Sequence, residues 1–267
     1  VRGRIEQAFA RARKGRRAAF IPYIAGGDPA AGRSVVLARA LERAGADVLA
    51  LGVPFTDPIA DGFATRRAFE RALAQGTTLS TVLGIVRELR FSSTVPVVLF
   101  TYFNPVHAYG LARFAVDAST AGVDAVLLTD VSVDEAGAGW EALRQVGIEL
   151  VLPVAPTSTR ERVKAVRKLA GSFVYFAART GAAEASPRVE DGLEDQVRLV
   201  RKLTRSRVAV GFGGVTPEQV SRISQFADGV VVGSALVGRI GDLGDVAELP
   251  GEIEALARSL ALATRRK

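Results

Sequence analysis

The strongest constraint on the fold is a recurrence of short apolar runs that lack polar alternation. They are AAFIPYI (18–24), ADVLALGV (46–53), VPVVLF (95–100), VDAVLLT (123–129), IELVLPV (148–154), SFVYFAA (172–178), RVAVGF (207–212) and GVVVG (229–233). A strand with one wet face alternates apolar and polar residues; one without alternation is buried on both faces, as in a parallel sheet wrapped by helices. Amphipathic stretches such as GRSVVLARALERAG, LSTVLGIVRELR and GLEDQVRLVRKLT separate the runs. Eight such units in 267 residues predict an α/β fold, a single (β/α)8 TIM barrel occupying residues 1–267 as one domain. The opening RGRIEQAFARARKG predicts an extra N-terminal helix across the barrel bottom.

Composition removes whole classes of chemistry. Cys is absent and His107 is the lone histidine, which excludes thiol catalysis, disulfides and multi-histidine metal sites, so no metal is expected. Lys14, Lys164, Lys168, Lys202 and Lys267 fall on helical or terminal segments, whereas a Schiff-base amine needs a desolvated pocket. No apolar run reaches membrane-spanning length and nothing resembles a signal peptide, so a soluble cytoplasmic protein is expected. The net charge of +7 is spread along helices with acids interspersed. That pattern predicts a solvated basic surface and no nucleic-acid partner.

In a (β/α)8 barrel the working groups sit on the loops after the strands' C-terminal ends. Two of those loops read as phosphate cradles, with Gly213 and Gly214 in GFGG and Gly233 and Ser234 in VGSAL. Candidate acid–base carboxylates are Asp61 in DPIADG, Asp130 in TDVSVDE and Glu184 in ARTGAAEAS. Candidate aromatic walls for a flat ligand are Tyr23, Phe63, Phe100, Tyr102, Tyr175, Phe176 and Phe212. Each has a plainer alternative: Phe100 and Phe176 as ordinary core, Asp61 as a turn former.

The motifs FIPYIAGGDP, ADVLALGVPFTDPIADG, TYFNP, GVDAVLLTD, LPVAPTST, FVYFAARTG, AVGFGGVTPEQV and ADGVVVGSALV, in this order, resemble the tryptophan synthase alpha chain family over nearly the whole chain. That resemblance implies cofactor-free, retro-aldol-type cleavage of indole-3-glycerol phosphate by two carboxylates. It also implies transfer of indole to a β chain. Asp61 matches the family's loop aspartate beside the indole N–H. Pro54, Asp57, Asn104 and Pro105 match positions that engage the β chain. The family's strand-two glutamate is replaced by Ala50, a lost catalytic position. Further departures are Phe63 in ADGF, Ala178, Ala182, Ala183 and Glu184 in ARTGAAEA, TDVS for PDLP, and Pro153.

A methyl group exchanges no proton, and a carboxylate at Glu184 repels a bound phosphate. Three readings follow. The first, favoured by the altered pocket, is an engineered barrel whose carboxylate base abstracts a proton from a flat aromatic substrate, as in a Kemp elimination. The second is an authentic α chain acting on indole-3-glycerol phosphate. The third is a non-catalytic homologue that binds an indole-like ligand. Any β-chain association is expected to be weakened but not abolished.

Overall fold

The computed structural model describes residues 3–136, 140–178, 192–213 and 216–266. Its strands are β1 (Ala19–Ala25), β2 (Leu49–Gly52), β3 (Val97–Thr101), β4 (Ala125–Leu128), β5 (Glu149–Val151), β6 (Pro153–Val154), β7 (Phe173–Ala177), β8 (Arg207–Gly211) and β9 (Gly229–Val232). They form one sheet in the order β5-β4-β3-β2-β1-β9-β8-β7-β6, and every pairing is parallel. The expected fifth strand is split, β5 pairing with β4 and β6 with β7. Pro153 stands at the break, and a proline has no N–H to give a ladder. Since β5 and β6 belong to one run, the sheet meets its own ends. Backbone bonds from Gly171 N to Leu150 O (2.9 Å) and from Tyr175 N to Leu152 O (3.1 Å) close the barrel there.

Two apolar layers result. One packs the outward strand faces, Leu49, Leu99, Val126, Val174, Val210 and Val232 among them, against the helices. The other fills the barrel with Tyr23, Ala50, Phe100, Leu127, Phe173 and Ala209. The helix Arg4–Lys14 supplies Ile5, Ala8, Phe9 and Ala12 to this inner layer. Phe9 meets Phe173, the first residue of β7, at 5.2 Å between ring centroids, so the predicted extra helix does plug the N-terminal end.

That end is also pinned by acids beside the strand starts. Asp47 accepts from Phe20 N (2.8 Å), Asp124 from Val97 N (2.8 Å), Glu149 from Ser172 N (2.5 Å) and Asp228 from Val208 N (2.9 Å). Each satisfies a backbone donor at or just before the start of a nearby strand. These carboxylates hold the scaffold and leave the C-terminal mouth to the chemistry. Among the described residues no helix is long and apolar enough to cross a membrane.

Candidate active site

At the mouth, the loop after β2 turns back on itself through Ile59 N to Asp57 O (2.9 Å) and Asp61 N to Pro58 O (3.0 Å). The helix Phe63–Ala74 follows directly. The turn brings Asp61 beside Tyr102, which follows the neighbouring strand β3. The Tyr102 hydroxyl donates to Asp61 Oδ2 at 2.5 Å and accepts from Ala60 N at 3.1 Å. Phe55 packs on the Tyr102 ring at 5.2 Å and holds it in place. Burial pushes the Asp61 carboxyl up to about 6, against the lowering influence of the Tyr102 hydrogen bond and the Arg66 charge. Burial and the Asp61 charge drive Tyr102 upward, so it stays a donor.

Beneath Asp61 lies a ring of aromatics. Tyr23 meets Phe100 edge-on at 5.7 Å, and Phe100 meets Tyr175 edge-on at 5.4 Å. Both tyrosines lean over a glycine that ends the adjacent strand. A Cβ at Gly52 would sit 2.0 Å from the Tyr23 hydroxyl, and one at Gly211 would sit 2.1 Å from that of Tyr175. The register explains the repetition: Tyr23 pairs with Ala50 and Ala25 with Gly52, while Tyr175 pairs with Ala209 and Ala177 with Gly211. Ala50 is 1% exposed and lies in the inner layer beside Tyr23. The position that resembles the family's glutamate therefore faces the barrel interior and carries a methyl group.

Several expected site residues lie elsewhere. Phe176 and Phe212 belong to the outer layer, against the helices, so they do not wall the cavity. Side chains alternate across a strand, so placing Tyr175 inward turns Phe176 outward. Phe63 is 71% exposed at the first turn of its helix and stands on the rim. Asp130 is exposed, and its Oδ1 accepts from Phe103 N (2.9 Å) at the start of the helix Phe103–Tyr109, a stabilising contact for that helix end. Glu184 and Gly214 lie outside the described residues.

Gly213 follows β8 and borders open space, while Gly233 and Ser234 follow β9 at the start of the helix Ser234–Leu243. The adjacent ends of β8 and β9 thus bring the two glycine-bearing loops to one side of the mouth. Sequence reasoning missed the pairing of Tyr102 with Asp61, although β2 and β3 being neighbours puts their two loops side by side. It also missed the buried Asp28, which Arg71 of the helix Phe63–Ala74 grips at 2.7 and 2.9 Å. That fork ties the loop after β1 to the helix behind Asp61.

Comparison with known proteins gives one consistent result. The sequence model of the family described as "Tryptophan synthase alpha chain" matches residues 9–264. The tryptophan synthase alpha chain of Solibacter usitatus is 43% identical over 257 residues, covering 96% of each chain. That of Opitutus terrae is 41% identical over 264 residues, covering 98% of this chain and 99% of its own. Among solved structures, Mycobacterium tuberculosis tryptophan synthase superposes with a TM-score of 0.91 at 33% identity over 100% of both chains. The Legionella pneumophila alpha chain gives 0.89 at 32% identity, over 99% of this chain and 98% of that one. Likeness of this extent, over sequence and barrel alike, places the chain in the tryptophan synthase alpha chain family.

Proposed function

We propose that the chain is a lyase that cleaves indole-3-glycerol phosphate to indole and glyceraldehyde 3-phosphate, with Asp61 as its working carboxylate. The observation that carries this reading is the half-buried Asp61 at the barrel mouth, held by Tyr102 and titrating at about 6 within a family of α chains. The engineered, Kemp-type reading has no support among the relatives, which are tryptophan synthase alpha chains, and the lyase reading takes its place.

The reaction needs a proton added to C3 of the indole ring and one removed from the hydroxyl on the adjoining side-chain carbon. The C–C bond between them then breaks, its electrons return to the ring, and the hydroxyl carbon becomes the aldehyde. Asp61 as carboxylate accepts a hydrogen bond from the ring N–H and stabilises the positive charge that builds there on C3 protonation. Tyr23, Phe100 and Tyr175 supply a flat apolar floor. The phosphate of the substrate fits the side of the mouth at Gly213 and Ser234, where amides open a helix.

Ala50 leaves no carboxylate on β2 to serve C3. A positioned acid or base contributes about 10² to 10⁴ in rate. Turnover is therefore slow by the standard of a two-carboxylate site, and binding without turnover is the reading that Ala50 favours if cleavage is absent. For a partner, the exposed rim formed by Ile59, Phe63 and Phe103 beside Asp57 and Asn104 fits a β chain. The direct test is incubation with indole-3-glycerol phosphate and chromatography of the products. Indole and the triose phosphate in equal amounts support the proposal; no indole above the uncatalysed background overturns it.

A further inference from the structure

The opposite end of the barrel carries a second concave surface that the lyase reading leaves unused. A cleft of about 400 Å³ opens there between the N-terminal helix and the starts of β8 and β9. It is contiguous with a broader one through Arg13, Arg201, Arg207 and Asp228. Six arginines line the smaller cleft, Arg13, Arg17, Arg198, Arg201, Arg207 and Arg266, against the two carboxylates Glu194 and Asp228. Both acids are already engaged. Glu194 pairs with Arg198, and Asp228 pairs with Arg201 while accepting from Val208 N. Arg17 is taken by Asp47, beyond the cleft.

Three guanidinium groups remain without a carboxylate among the described residues. Arg266 is half-buried and fixed through Nε to Ser224 O (2.9 Å) and Nη2 to Ala227 O (2.8 Å), which leaves its Nη1 edge available. Arg207 is half-buried, lies 5.8 Å above the Phe9 ring and gives only Nη1 to Ser172 O, at 3.3 Å. Arg13 is exposed at the lip. Like charges gathered in a concave, partly desolvated site raise the energy of the empty protein, and an anion removes that cost. Two of the three are held by backbone carbonyls, so little side-chain freedom is lost when they bind. Planar forks match phosphoryl oxygens better than ammonium groups do, and lysine is absent from this lining.

We infer that this cleft is a binding site for a small oligophosphate, a ligand with at least two phosphoryl groups spanning Arg207, Arg266 and Arg13. The volume fits a small molecule, since such sites run from about 300 to 1,000 Å³. A long nucleic-acid strand would instead call for a basic track with exposed aromatic platforms.

Calorimetric titration of the full chain with inorganic pyrophosphate, in phosphate-free buffer at low salt, tests the site. The expected result is a binding event that persists in Ser234→Glu, which repels anions from the mouth, and is weakened at least tenfold in Arg207→Gln and also in Arg13→Gln. Among the described residues the Arg13 side chain has no partner to lose, so Arg13→Gln remains informative if Arg207→Gln disturbs packing on Phe9. Loss of binding in Ser234→Glu with full binding in both arginine variants would place the anion at the mouth and overturn the inference. No pyrophosphate binding by the unaltered chain would overturn it too, as would capture of a mixed-sequence single-stranded oligonucleotide in its place.

Discussion

The Tyr102 hydroxyl donates to Asp61 Oδ2 at 2.5 Å, joining the loop after β2 to the chain that leaves β3. That bond lowers the Asp61 carboxyl within a site whose burial raises it. In Tyr102→Phe the lowering influence is gone, so the Asp61 titration moves above about 6. The pH profile of indole release is expected to shift its rising limb upward, with the rate below the limb reduced. An unmoved limb would show that Asp61 does not set the profile.

The same titration enters folding stability. The folded carboxyl titrates at about 6 against an ordinary 3.8, so the folded chain holds this proton more tightly than the unfolded chain between those values. Its contribution is favourable below about 4, falls as pH rises through the window and stays lost above about 6. Asp61→Asn removes the charge, and partial exposure keeps the effect modest. The variant is expected to gain about 1 kcal/mol over the parent at pH 8 and nothing at pH 4. Urea unfolding at the two pH values measures this.

Much of the scaffold was legible because a parallel barrel leaves a strong mark: apolar runs at regular spacing with amphipathic stretches between them. Which way each strand residue points was not. A strand buried on both faces has no polar alternation to separate inside from outside, so Phe176 read the same as Tyr175. The break at Pro153 was visible as a proline but was assigned to an unbroken fifth strand. At the mouth, residue type and loop position single out Asp61 and Tyr102, and strand aromatics single out Tyr23, Phe100 and Tyr175, without the geometry that brings them together. The Tyr102–Asp61 bond joins segments about 40 residues apart and needs the neighbouring order of β2 and β3 to be seen.

The glycines under the two tyrosines make a separate prediction. A methyl group at Gly52 meets the Tyr23 hydroxyl at 2.0 Å and its Cζ at 2.6 Å, within a filled barrel. Gly52→Ala is expected to cost about 1–3 kcal/mol of stability. Tyr23→Leu should recover part of that loss in the double variant, and thermal denaturation of the four proteins closes the cycle. Equal costs with and without Tyr23 would place the strain elsewhere.

For the partner, Pro54, Asp57, Asn104 and Pro105 resemble the family's docking positions and TDVS departs from its pattern, so the expected outcome is β-chain binding that is weakened but present. Titration against the β chain of a close relative should give measurable, incomplete activation. Tight binding with full activation contradicts the expectation, and so does no binding at millimolar concentration.

The central claim is that one carboxylate, Asp61, carries a reaction that a second at position 50 would speed. Initial rates of indole release from indole-3-glycerol phosphate, compared for the parent, Asp61→Asn and Ala50→Glu, test it most directly. The account predicts slow release by the parent, loss of about 10² or more in Asp61→Asn and a comparable gain in Ala50→Glu. Release that is unchanged in Asp61→Asn would contradict it.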